Sequence, residues 1–86
     1  MSFTPKKYKI TVLAASWKSP ELLIQFIPRM LDSFTEDNKL CIALNEADDQ
    51  SIRICADFKQ TDPNFEFIAL TENYGHLAID FFAPNL

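Results

Sequence analysis

Residues 51–59 read Ser-Ile-Arg-Ile-Cys-Ala-Asp-Phe-Lys, and the state of this stretch decides which of two folds the chain adopts. As a strand it alternates, with Ile52, Ile54, Ala56 and Phe58 on one side. As a helix it takes a cap from Asp49, puts Ile52, Cys55, Ala56 and Lys59 on a shared face, and pairs Ile54 with Phe58 one turn further on. A helix here makes the chain α/β, a β-α-β-α-β unit with parallel strands and right-handed crossovers. A strand here makes it α+β, one helix packed on an antiparallel sheet in the order β-α-β-β-β-β. The local pattern leaves both open. Its bounds are clear: the acidic loop Asn45-Glu46-Ala47-Asp48-Asp49-Gln50 precedes it and the breaker Thr61-Asp62-Pro63-Asn64 follows.

Outward from this stretch the signals are stronger. Lys9 to Ala15 (KITVLAA) and Lys39 to Leu44 (KLCIAL) are apolar on both faces, the pattern of strands buried in a parallel or mixed sheet. Between them Ser19 is a helix N-cap, Pro20 suits the first helical position and Glu21 the first turn. Leu22, Leu23, Phe26, Ile27, Met30, Leu31 and Phe34 then form a one-sided apolar stripe, so a helix is expected to near Phe34, kinked at Pro28. Phe65 to Leu70 (FEFIAL) reads as a strand, and Glu72-Asn73-Tyr74-Gly75 as a turn holding the only glycine. His76 to Phe82 suits a last strand or a short helix. Residues 1–7 are polar and expected to be frayed.

Eighty-six residues make one small domain, 1–86, with stability expected on the order of a few kcal/mol. The apolar fraction of 48% and charged fraction of 23% are those of a globular chain. Eight Phe are many for this length and serve a small core, or an interface. The net charge is −4 and the basic residues cluster only at Lys6, Lys7 and Lys9, so the electrostatic footprint of a nucleic-acid binder is absent. No window approaches a membrane span and no leader peptide is visible, which makes a cytoplasmic location the default expectation.

Cys41 and Cys55 both sit in apolar runs and read as buried free thiols. His76, the only histidine, lacks the partner nucleophile and orienting group of a catalytic histidine and reads as a turn or surface residue. Asp48-Asp49 reads as a solvated turn rather than a cation site. Trp17 suits stacking on a base, a partner hot spot, or packing over the strand–helix junction. Glu46, Asp48, Asp49 and Glu72 make an acidic patch if the strand ends converge.

Taken together, KITVLAASWKSPELLIQFIPRMLDSF (residues 9–34), KLCIALNEADDQS (39–51) and FEFIALTENYG (65–75) resemble the opening of GT-A glycosyltransferases of the family-2 kind, in the same order and at similar separations. The resemblance covers about residues 8–79 and implies a Rossmann-like β-α-β-α-β half whose strand ends grip the nucleotide of a sugar donor. By position, Ala15, Ser16 and Trp17 would line the base. Asn45 stands where the family usually has an Asp that bonds the base edge, with Glu46 or Asp48 as substitutes, and Asn73 and Gly75 match the turn after the third strand. The family's metal-binding Asp-x-Asp and its acceptor half do not follow, so no catalytic residue, metal ligand or cofactor is assigned. The implied function is a truncated or relic nucleotide-sugar-binding half, not catalytic alone, with a second copy or a protein partner covering its exposed side. The alternative is a small acidic protein-interaction module: an inhibitor, immunity-type or adaptor protein. A third reading is a structural subunit whose Phe-rich surface is buried in a complex.

Overall fold

A computed structural model describes residues 9–85, and the side chains among them as far as Phe82. The expectation that residues 1–7 are frayed lies outside the described residues. The elements run β1 (Ile10–Trp17), α1 (Pro20–Asp32), β2 (Asn38–Asn45), α2 (Asp49–Thr61), β3 (Phe65–Ala69) and a 3₁₀ helix, Gly75–Asn85. The three strands form one sheet in the order β1-β2-β3, and both pairings are parallel. The fold is thus mixed α/β, and the antiparallel alternative is overturned: residues 49–61 are a helix, not a strand. Its cap is Asp48 rather than Asp49. Asp48 has extended backbone, and its carboxylate accepts a hydrogen bond from the Ser51 amide at 3.1 Å.

The alternation of Ile52, Ile54, Ala56 and Phe58 misleads because α2 is packed from two sides. Ser51 and Cys55 face fully inward, while Ile52, Ile54 and Phe58 pack around them. The inward residues of α2 meet those of α1, Leu23 and Ile27, over one face of the sheet. That face carries Leu40, Ile42, Leu44 and Phe65, with Val12, Ala14 and Phe67 at its borders. β2 is the middle strand and is buried from Leu40 to Asn45, as expected for a parallel strand covered above and below. On the other face, Cys41 and Ala43 meet Ala78 and Phe82 of the 3₁₀ helix, with Leu13, Ile68 and Leu70 alongside. Residues 76–82 therefore cover the sheet; they do not extend it.

α1 ends at Asp32, two residues short of the expected Phe34, and runs through Pro28, whose missing amide leaves the Ile24 carbonyl without its helical donor. Ser19 stands at the N-cap position but makes no side-chain cap; its hydroxyl donates to the Trp17 carbonyl at 2.8 Å. The eight Phe divide between uses. Phe65 and Phe82 are buried, whereas Phe26 and Phe81 are exposed. Both cysteines are buried free thiols, on opposite faces of the sheet.

Candidate functional site

In a parallel sheet every strand points the same way, so the residues that follow the strands collect at one edge. β1 ends at Trp17 and β2 at Asn45, which are register partners. Six of the seven residues singled out from the sequence lie at or just beyond those two ends, and the seventh, Asn73, follows β3. The structure divides them into two groups with different surroundings.

The first group is on the β1 side. Ala15, Ser16 and Trp17 line an open groove of about 810 Å³ between β1 and α1, together with Ser19, Leu22, Phe26 and Arg29. Leu22 and Phe26 are exposed apolar side chains, and Trp17 is 52% exposed. The Trp17 indole donates from Nε1 to Glu46 Oε1 at 3.3 Å. Lys18 lies over the same ring, with Nζ at 5.7 Å from its centroid, and pairs with Glu46 Oε2 at 3.6 Å. One face of Trp17 is thus held by charge, within reach of a ligand in the groove.

The second group is used internally. Asn45 is 2% exposed, and both ends of its amide are occupied: Nδ2 donates to the Gly75 carbonyl at 3.0 Å and Oδ1 accepts from the Tyr74 amide at 2.8 Å. It ties the end of β2 to the turn after β3. Asn73 Oδ1 accepts from the Gly75 amide at 2.8 Å, closing that turn on itself. Gly75 sits at φ +58, a conformation that favours glycine. The Glu46 amide donates to the Glu72 carbonyl and the Ala47 amide to the Leu70 carbonyl, so the chain past β3 clasps the chain past β2. Asn45 is buried with both ends of its amide engaged in tying the strand end to the turn, whereas Asn73 is exposed and spends its Oδ1 on closing that turn.

Asp48 and Glu46 border a shallower depression of about 540 Å³ with Lys18, Ile52, Leu70 and Thr71. The Ser51 hydroxyl beside Asp48, followed by the Ser51 amide, holds its carboxyl below the usual value. Asp48 Oδ1 and Ser51 Oγ are shut off from solvent without completing a hydrogen bond, so the attraction between them is electrostatic. Lys18 and Glu46, which follow β1 and β2, both adopt left-handed backbone, φ +44 and +42. Each such residue costs about 1 kcal/mol or more. No sequence signal marks these two positions as strained, and the sequence reading passed over Lys18. The sequence places Leu22 and Phe26 in the one-sided apolar stripe of α1, yet both are exposed. Their exposure follows from a stripe wider than the face α1 buries, which covers only Leu23 and Ile27 fully.

Among the described residues, no cluster of three or more His, Cys, Asp or Glu side chains is placed to hold a metal ion. No helix among them is long and apolar enough to cross a membrane. Burial pushes the Cys55 thiol up to about 12 and raises that of Cys41, so neither supplies a thiolate near neutral pH. The arrangement suits binding, with an aromatic wall, hydroxyls and one cation, and offers no nucleophile–base pair. No protein-family model matches this chain, and no curated protein matches it.

Proposed function

We propose that this chain is a nucleotide-sugar-binding half of the kind that opens GT-A glycosyltransferases, non-catalytic on its own. The observation that carries the reading is the parallel β1-β2-β3 sheet with its helices as crossovers, which gathers Ala15, Ser16, Trp17 and Glu46 at one edge. Ligands of open α/β sheets occupy that edge. The role of Asn45 is revised: its amide is consumed by the Tyr74–Gly75 turn. The nucleotide is therefore assigned to the β1 side, with its base against Trp17, its ribose near Ser16, and its phosphates toward Lys18 and the first turn of α1. Among the described residues no cluster is placed to hold a metal ion, and the proposed role of the edge is to hold a diphosphate rather than to activate its bond to a sugar.

Trp17 fluorescence under titration with UDP tests this. Saturable quenching that Lys18→Ala weakens, with UDP binding in calorimetry that Trp17→Ala abolishes, is the expected result. A flat response at millimolar UDP removes the nucleotide reading. A second reading, a small acidic protein-interaction module, is favoured by the exposed apolar side chains beside the β1 edge: Trp17, Leu22 and Phe26. Under that reading UDP is without effect and the same surface is protected by a protein.

A further inference from the structure

The two outer strands of the sheet are built differently. β3 is five residues long, and its second residue, Glu66, is held by Lys59 of α2. Short length and a charge on the strand are devices that discourage another strand from adding to an edge. β1 has neither. Its eight residues, Ile-Thr-Val-Leu-Ala-Ala-Ser-Trp, contain no charge and no proline, and pair with β2 in unbroken register without a bulge. Among the described residues no strand pairs with its outer side, since β1 is the end of the sheet. The α1 side of this edge is the apolar groove already described, in which Arg29 is the only charged residue among the described ones.

We infer that the β1 edge and the groove-facing side of α1 form a two-fold interface with a second copy of this chain, through antiparallel pairing of β1 with β1. Three observations select a copy. Identical strands related by a two-fold axis normal to the sheet pair antiparallel and complement each other, which needs no second sequence. The same axis sets α1 antiparallel to α1 of the copy. The last-turn Arg29 of each then meets the first turn of the other, which carries Glu21 and no cation. Finally, among the described residues the groove lining holds Arg29 and no carboxylate, and Glu21 is the one acidic residue brought to it, so most of the charge behind the net −4 lies elsewhere. Long-range repulsion between the copies is weak at physiological salt. The interface continues the sheet to six strands and covers Leu22 and Phe26. It also places the N-terminal end of the copy's β1 beside Ser16 and Trp17, so the groove becomes a crevice between two chains. The inference does not depend on the nucleotide reading, and its test uses no nucleotide.

Sedimentation of the full chain over a dilution series is the experiment, with circular dichroism confirming that each variant keeps the parental helix content. The parent is expected to be a dimer that dissociates on dilution. Leu22→Glu and Arg29→Glu each weaken the dimer by about tenfold or more, a change of the size of one good interface contact. The charge swap Glu21→Arg with Arg29→Glu restores much of the loss. Ile24→Glu, at a position on α1 that is 54% exposed but outside the groove, leaves the dimer intact and serves as control. A parent that is monomeric at every concentration overturns the inference. So does a dimer that Leu22→Glu and Arg29→Glu both leave untouched.

Discussion

The β3 side of the strand-end edge is closed and the β1 side is open. On the closed side Asn45, the Glu72–Gly75 segment and the Asp48 cap satisfy one another, and the chain beyond β3 is stitched to the chain beyond β2. On the open side Trp17, Leu22 and Phe26 stand half-exposed around a groove, and β1 offers an unguarded edge. The two sides share one sheet and consecutive strands, yet only one has unspent recognition chemistry. Asn45 is buried with both ends of its amide committed, whereas Trp17, although its Nε1–H is spent on Glu46, keeps a half-exposed ring beside the groove.

If the closed side is dry and tight, the largest effect appears at high pH. Cys55 is buried on the inward face of α2, and its thiol rises from 9.0 to about 12 through desolvation. The unfolded chain releases this proton near pH 9.0 and the folded chain only near pH 12. The thiol-linked stability is therefore complete below pH 9 and is lost as the pH climbs to 12, by about 1.4 kcal/mol per unit. Urea unfolding of Cys55→Ala and the parent is expected to show that difference in slope; equal slopes mean that water reaches the thiol.

Asn45→Ala comes next. It strands the Tyr74 amide and the Gly75 carbonyl, and is expected to cost about 2–3 kcal/mol in chemical denaturation. A loss below about 0.5 kcal/mol, the usual range of a surface change, would dissolve the contrast between the two sides. Asp48→Ala is smaller, about 1 kcal/mol, the usual worth of an N-cap. Because the folded-state pKa of Asp48 lies below its ordinary 3.8, this contribution is present above that pH and fades as the pH falls through the folded value. The parent and Asp48→Ala should converge in acid unfolding. The smallest stability effect belongs to the open side: Trp17→Ala, at a half-exposed site, shifts unfolding by only about 0.5 kcal/mol.

Much of the fold was legible. KLCIAL reads as a doubly covered strand, and β2 is buried from Leu40 to Asn45. Ser19-Pro20-Glu21 marks the start of α1 within one residue, though the Ser19 hydroxyl turns back to Trp17. Residues 51–59 resisted because α1 and the sheet both press on α2, which widens its buried face and blurs the helical period into apparent alternation. The deciding local signal was Asp48 with the amide of Ser51 three residues on, one position before the cap that the sequence suggested. The site was less legible than the fold. The commitment of Asn45 depends on a turn about thirty residues away, and the left-handed backbone of Lys18 and Glu46 on how strands end in space. Neither is a local property of the chain. The groove is visible in the sequence only as a stripe on α1 wider than one sheet face requires, in which Leu22, Phe26 and Arg29 continue past the buried Leu23 and Ile27.

Central to this account is that recognition of a nucleotide belongs to the β1 side and that Asn45 takes no part in it. Residue-resolved amide chemical shifts under titration with UDP test this most directly. The account predicts saturable shifts at Ser16, Trp17, Lys18 and Leu22, with Asn45, Asn73 and Tyr74 unmoved. Shifts centred on Asn45 and the Asn73–Gly75 turn, or none anywhere, would contradict it.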